Sequence, residues 1–294
     1  MVRMVSMLRI KPRYAAWAAA ALAACAAPPP QTEAFNAVVL AQQMQRRPVV
    51  LLGEIHDNAG QHAVRAQAIE RLLQAGLRPA LAFEQFDRER QADIDRVRGQ
   101  AQAPVADRVD RLAALGAPGW NWSQYRPFLQ LAVQYDLPIV AADLSRADAM
   151  RVSQQGFGAV FDPSTRHEFG LDRLPEDLLR AQQQAIDQGH CHQIPARMLP
   201  SMARAQIARD VALARAIGPY LQRGVILLTG NGHARRDIGV PRFLDPSERD
   251  RVVSIGLLED DAPADEAPSG AFDAVFRTPV QSRPDPCLSL RPKA

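Results

Sequence analysis

The chain has 294 residues, with 35 Lys and Arg against 32 Asp and Glu and 47% hydrophobic side chains. Four of the basic residues, Arg3, Arg9, Lys11 and Arg13, fall before the first acid; without them 31 basic side chains face 32 acidic ones, a net charge near −1. The bulk of the chain thus lacks the basic surplus that drives nucleic-acid binding. Its length and apolar content suit one large domain or two small ones.

The basic start is followed by the uncharged run Tyr14-Ala-Ala-Trp-Ala-Ala-Ala-Ala-Leu-Ala-Ala24. This is the layout of a secretory signal, and it is shorter than the roughly 20 apolar residues that cross a bilayer. Leu22-Ala23-Ala24-Cys25 resembles the lipobox of bacterial lipoproteins. Residues 1–24 therefore read as a signal peptide, with lipid on Cys25. Ala26 follows in place of an inner-membrane-retaining Asp, which points to the periplasmic face of the outer membrane. Residues 25–34, with Pro28-Pro29-Pro30, read as a short stiff tether, and 35–294 as a single domain. Cys191 and Cys287 remain, an even number that fits one disulfide in an oxidising compartment.

Along the domain, Val49-Val-Leu-Leu52, closed by Gly53, is a continuous apolar run and reads as a buried strand. Asn58 suits the N-cap of a helix over about 62–75, with Gly76 at its end. Pro79-Ala-Leu-Ala-Phe83 is a second run, and a charged helix is expected over about 88–98. Pro138-Ile-Val-Ala-Ala142 is a third. Residues 145–200 are expected to pack as a helical cap over the carboxyl edge of the sheet. Ile207, Val211, Ala214, Ile217 and Leu221 form one stripe of a helix over about 201–222. Val225-Ile-Leu-Leu-Thr229 and Val252-Val-Ser-Ile-Gly-Leu257 are the fourth and fifth runs. Phe272, Ala274 and Phe276 alternate with Asp273, Val275 and Arg277 as an edge strand would. Buried runs alternating with helices imply an α/β fold with a mainly parallel open sheet flanked by helices.

Each of the first four runs ends in chemistry: Gly53-Glu54-Ile55-His56-Asp57, Glu84-Gln85, Asp143, and Gly230-Asn231-Gly232-His233-Ala234-Arg235. Open parallel sheets bind ligands beyond the carboxyl ends of their strands. Glu54 and His56 project to the same side of an extended strand end. With Glu84 and His233 they make a two-imidazole, two-carboxylate set, expected to share one pocket. Such a set suits a divalent zinc, iron or manganese ion, or acid–base hydrolysis; Asn231 and Arg235 would flank it as anion or backbone contacts. This requires run four beside run one, with runs one and two also neighbours and run three and the later runs on the flanks. His190-Cys191-His192 resembles a metal clip, although Cys191 has a disulfide partner available. His62 and His167 read as surface helix residues, and Trp120, Trp122 and Tyr125 as core and lid packing. There is no P-loop and no nucleophile elbow.

Leu-Leu-Gly-Glu-Ile-His-Asp-Asn, Phe-Glu-Gln-Phe, Gly-His-Cys-His-Gln-Ile-Pro with Arg204-Ala-Gln-Ile-Ala-Arg-Asp, and Thr-Gly-Asn-Gly-His-Ala-Arg-Arg-Asp-Ile-Gly-Val-Pro together resemble the ChaN family of haem-binding lipoproteins, over about residues 35–260. That family shares a superfamily with Tiki metalloproteases and erythromycin esterases. The resemblance implies haem or iron uptake, a tyrosine ligand to haem and a dimer holding haems face to face. The tyrosines of the mature chain are Tyr125, Tyr135 and Tyr220. The superfamily's enzymes imply the second function, hydrolysis at Glu54, His56, Glu84 and His233.

Overall fold

A computed structural model describes residues 36–263, 266–285 and 287. The signal peptide, Cys25 and the proline tether lie outside the described residues. In chain order the helices are α1 Ala37–Met44, α2 Ala59–Gln74, α3 Gln91–Arg98, α4 Val105–Ala114, α5 Trp122–Gln134, α6 Arg146–Gln155, α7 Pro163–Glu168, α8 Glu176–Gly189, α9 Leu199–Ile217 and α10 Asn231–Ala234. The strands are β1 Val49–Leu52, β2 Ala80–Asp87, β3 Ile139–Asp143, β4 Val225–Leu228, β5 Val252–Glu259 and β6 Ala274–Thr278.

All six strands run parallel, in the order β3-β2-β4-β1-β5-β6. The apolar runs are buried on both faces, as the lack of alternation requires. Val50 and Leu52 pack with Ile69, Leu72, Phe83 and Phe128 beneath α1–α5. Val49 and Leu51 pack on the other face with Leu213, Ala214 and Ile217 of α9. β6 closes one edge, with Val275 and Arg277 exposed, matching its alternating pattern. Run four does lie beside run one, but runs one and two are not neighbours: β4 inserts between them. The crossover through α2 skips one strand position, and the fully apolar β4 fills the slot because both of its faces can be covered there.

The sequence signals also fix the helix ends. The Asn58 side chain accepts from Gln61 N at 3.0 Å, so α2 begins at Ala59. Gly76, at φ +92°, ends it. The Leu77 and Gly76 amides bond back to the Leu72 and Leu73 carbonyls at 3.1 and 3.0 Å, the two bonds of a Schellman motif. α9 starts two residues earlier than expected and stops at Ile217, where Gly218-Pro219 turn the chain. Residues 145–200 carry α6–α8; Val152 of α6, Phe157 and Phe161 of the α6–α7 connection and Leu178 of α8 pack on Ile207 and Val211 of α9. The loop after α8 reaches the carboxyl edge, where His190 and His192 line a cavity together with His233.

Candidate functional site

Glu54, His56, Glu84 and His233 all lie just past, or near the end of, the central strands β1, β2 and β4, at the carboxyl edge. Parallel strands end on one edge, and the β1–β4 register sets Leu52 against Leu228. The Gly53-Glu54-Ile55-His56 and Gly230-Asn231-Gly232-His233 turns therefore leave the sheet side by side. Their glycines permit the close approach. A Cβ on Gly53 would lie 2.9 Å from the Ile255 carbonyl, and one on Gly230 would lie 2.9 Å from the His56 ring.

Two carboxylate–imidazole pairs result. In the first, the buried Glu54 accepts a short hydrogen bond from Tyr125 Oη and forms an ion pair with Arg65. His56 Nδ1 lies 2.9 Å from Glu54 Oε1. His62 stands behind them, with Nε2 3.0 Å from the His56 carbonyl and Nδ1 3.6 Å from Glu54 Oε2. His62 is thus a buried member of the site, not a surface residue, because it shares the inward stripe of α2 with Arg65, Ala66 and Ile69. Burial lowers its pKa. Burial also lowers that of Arg65, to about 10, and raises the Tyr125 phenol well above its ordinary value. The His56 side chain is 46% exposed and stands edge-on to Trp120 at 4.7 Å. His167, by contrast, is exposed as expected.

In the second pair, His233 Nδ1 lies 2.7 Å from Asp210 on α9, and its Nε2 lies 3.7 Å from Glu84. Glu84 accepts from Thr229 Oγ1 at 2.6 Å and Gly230 N at 2.7 Å. Burial pushes the Glu84 carboxyl up, but the charges of His233 and His56 and these two donors outweigh it, leaving a pKa of about 2. Burial likewise works against a charged His233. Asp210, Glu84 and Asp143 outweigh it and raise its pKa to about 9. Burial raises Asp210 to about 6 and Asp143, paired with Arg209, to about 7.

His233 therefore contributes stability that is complete below pH 6.5 and is lost as pH rises towards 9. The raised Asp210 carboxyl acts in a lower window, its contribution fading between pH 3.8 and about 6. We expect the urea midpoint of the protein to fall between pH 6.5 and 9, and His233→Gln to flatten that slope. An unchanged slope in the variant would place the titrating group elsewhere.

Asn231 makes backbone contacts: Nδ2 donates to the Leu257 carbonyl at 2.7 Å, and Oδ1 accepts from the Leu257 amide at 3.0 Å. Its amide continues the sheet ladder past the end of β1. Arg235 lines the same cavity as His233, its guanidinium held in a bidentate pair with Asp237 at 3.0 and 2.6 Å. Cys191 and Cys287 form a disulfide, Cα–Cα 5.7 Å. This removes Cys191 from any metal clip; His190 Nδ1 bonds the Ile186 carbonyl at 2.7 Å and His192 Nδ1 the Asp187 carboxylate at 2.7 Å. The divalent-ion expectation finds no support: among the described residues no group of three or more His, Cys, Asp or Glu is arranged to hold a metal ion. The reason is local. The oxygens of Glu54 and Glu84 already face Arg65, Tyr125, Thr229 and the Gly230 amide.

Beside Asp143, already marked at the end of run three, Arg65, His62, Tyr125 and Asp210 complete the site, and the residue pattern held a signal for two of them. Arg65 and Asp210 each sit on the apolar stripe of a helix, where a charge needs a buried partner.

An all-parallel α/β domain with paired carboxylate–imidazole groups at its carboxyl edge defines the class. The chain belongs to the family described as haem-binding uptake, Tiki superfamily, ChaN, whose model matches residues 40–244. Among solved structures it is similar to ChaN of Campylobacter jejuni with cofacially bound haem, at 16% identity and a TM-score of 0.60, covering 77% of this chain and 87% of that one. It is more distantly similar to a mutant erythromycin esterase in its open conformation, at 11% identity, TM-score 0.43 and coverage of 80% and 77%. A Bacillus cereus protein matches at 12% identity, TM-score 0.43 and coverage of 77% and 71%. No curated protein sequence matches the chain.

The tyrosines do not fit a haem ligand. The Tyr125 hydroxyl is buried on Glu54, and burial keeps it protonated. Tyr135 and Tyr220 lie ahead of β3 and β4, at the opposite edge of the sheet, with the Tyr135 ring 5.1 Å from the Arg78 guanidinium. Imidazoles do fit. At His56, His190 and His192 an oxygen acceptor faces Nδ1, which places the hydrogen there and leaves the Nε2 lone pair available to iron.

Proposed function

We propose that this protein is a lipid-anchored haem-binding protein of the cell envelope, holding haem through a histidine and serving its uptake. The observation that carries this is the family match over residues 40–244, joined to imidazoles whose Nε2 atoms are left for iron. Export is supported by the Cys191–Cys287 disulfide, since such bonds persist in oxidising compartments. The Leu22-Ala-Ala-Cys25 run supports the anchor and the periplasmic face of the outer membrane. A second copy is a natural partner, because the Campylobacter jejuni protein binds haem cofacially. Bound haem would supply the iron cargo; the chain's own side chains bind and orient it.

One preparation tests both clauses. The full chain is expected in the membrane fraction, and Cys25→Ala in the soluble periplasmic fraction. The purified domain is expected to shift the Soret band of added ferric haem. Membrane retention of the variant after a salt wash would refute the anchor, and an unshifted Soret band would refute haem binding.

A second reading rests on the two pairs at the carboxyl edge. Glu54–His56 presents a half-exposed imidazole, while Asp210–His233 holds a proton to about pH 9. A half-exposed imidazole beside a buried imidazole that retains its proton suits acid–base hydrolysis without a metal. That reading requires hydrolysis of a model ester that is lost in His56→Ala.

A further inference from the structure

We propose that haem sits in the groove between α6, α8 and α9, with His190 as the ligand to iron and Arg146 against a propionate. This rests on the haem reading and names its site. A porphyrin needs broad apolar contact for its faces. The carboxyl-edge cleft offers less of it, since Glu84, Asp87 and Asp143 share its wall with Trp120 and Leu144. The groove offers more. It encloses about 320 Å³ between Ala149, Met150, Ile186, Met202 and Ala205. Met150 is 50% exposed and lines the groove together with the half-buried Met202 and Ala205.

The groove also holds a ligand of the right kind. His190 closes one end. Its Nδ1 faces the Ile186 carbonyl at 2.7 Å, an atom that can only accept, so the hydrogen sits on Nδ1 and the lone pair on Nε2. Iron-binding histidines are commonly oriented in this way. The next residue, Cys191, is tied to Cys287, which holds the imidazole in place. Arg146 lies on the rim, exposed, and makes no ion pair among the described residues. Arg209, also on the rim, is committed to Asp143. One uncommitted guanidinium beside an apolar slot suits a propionate carboxylate.

The test is an absorption titration of the purified domain and its variants with ferric haem. A parallel fluorescence titration uses iron-free protoporphyrin, which needs the groove but no axial ligand. His190→Ala is expected to weaken ferric haem binding roughly tenfold or more and to change the Soret position, while iron-free porphyrin binding and thermal melting stay unchanged. Met150→Asp is expected to weaken both. Loss of haem binding in His56→Ala with His190→Ala unchanged would overturn the groove in favour of the carboxyl-edge cleft. Insensitivity to both histidine variants would overturn it as well. A wild-type domain that binds no haem would refute the family-level reading itself, and the groove with it.

Discussion

Arg65→Met is expected to destabilise the protein by about 3–5 kcal/mol, the cost of leaving a buried charge without its partner. Arg65 is fully buried. It pairs with the equally buried Glu54, donates from Nη2 to the Leu52 carbonyl at 3.1 Å, and lies 5.4 Å from the Phe128 ring. Methionine fills similar space but leaves the buried Glu54 carboxylate without its guanidinium partner, with only Tyr125 and the two imidazoles beside it. For a domain of this size that corresponds to a fall in melting temperature on the order of 10 °C. Glu54→Gln in the Arg65→Met background is expected to recover much of the loss, because neither member is then left charged in the core. Measured by urea unfolding, a single-variant cost below about 1 kcal/mol would show that water reaches Glu54 and that the pair does not organise the site.

The disulfide carries the second large effect. Cys191 and Cys287 are 96 residues apart in sequence. Closing such a loop is worth up to roughly 4.7 kcal/mol in the chain-entropy model, and 2–4 kcal/mol in typical cases. The bond ties the C-terminal segment to the end of α8. On the way that segment is held by Arg283, which pairs with Glu259 at 2.6 Å and Asp57 at 2.7 Å. The Gln193 side chain donates to the Cys287 carbonyl at 3.1 Å. Reduction is expected to lower the melting temperature by several degrees, and a Cys191→Ser, Cys287→Ser protein should melt equally low with or without reductant. Equal melting of oxidised and reduced wild type would show that Arg283 and Gln193 hold the segment without the disulfide.

What the sequence alone determined was set by local rules. Short continuous apolar runs bounded by Gly or Pro suit strands covered on both faces, and such strands favour a parallel sheet whose carboxyl ends share one edge. The Asn58 cap and the Gly76 stop were legible because one residue's side chain or φ decides each. Gly53-Glu54-Ile55-His56 and Gly230-Asn231-Gly232-His233 were legible as chemistry for the same reason: each polar residue sits within a few positions of a strand end.

Tertiary structure decided what depends on partners distant in sequence. Strand order is one case. Nothing in α2 says whether its crossover spans one strand position or two, so β4 between β1 and β2 follows only from packing all six strands at once. The partners of the site residues are another. Glu54 looked like a metal ligand until Arg65 and Tyr125 were placed against it, and His233 became a retained cation only once Asp210 on α9 reached its Nδ1. His62 looked like a surface residue because a lone histidine on a helix reads as polar. Its stripe, shared with Arg65, Ala66 and Ile69, put it inside. Charge states in a buried edge are fixed by neighbours contributed from several separate elements, and a single chain position carries no record of which neighbours those will be.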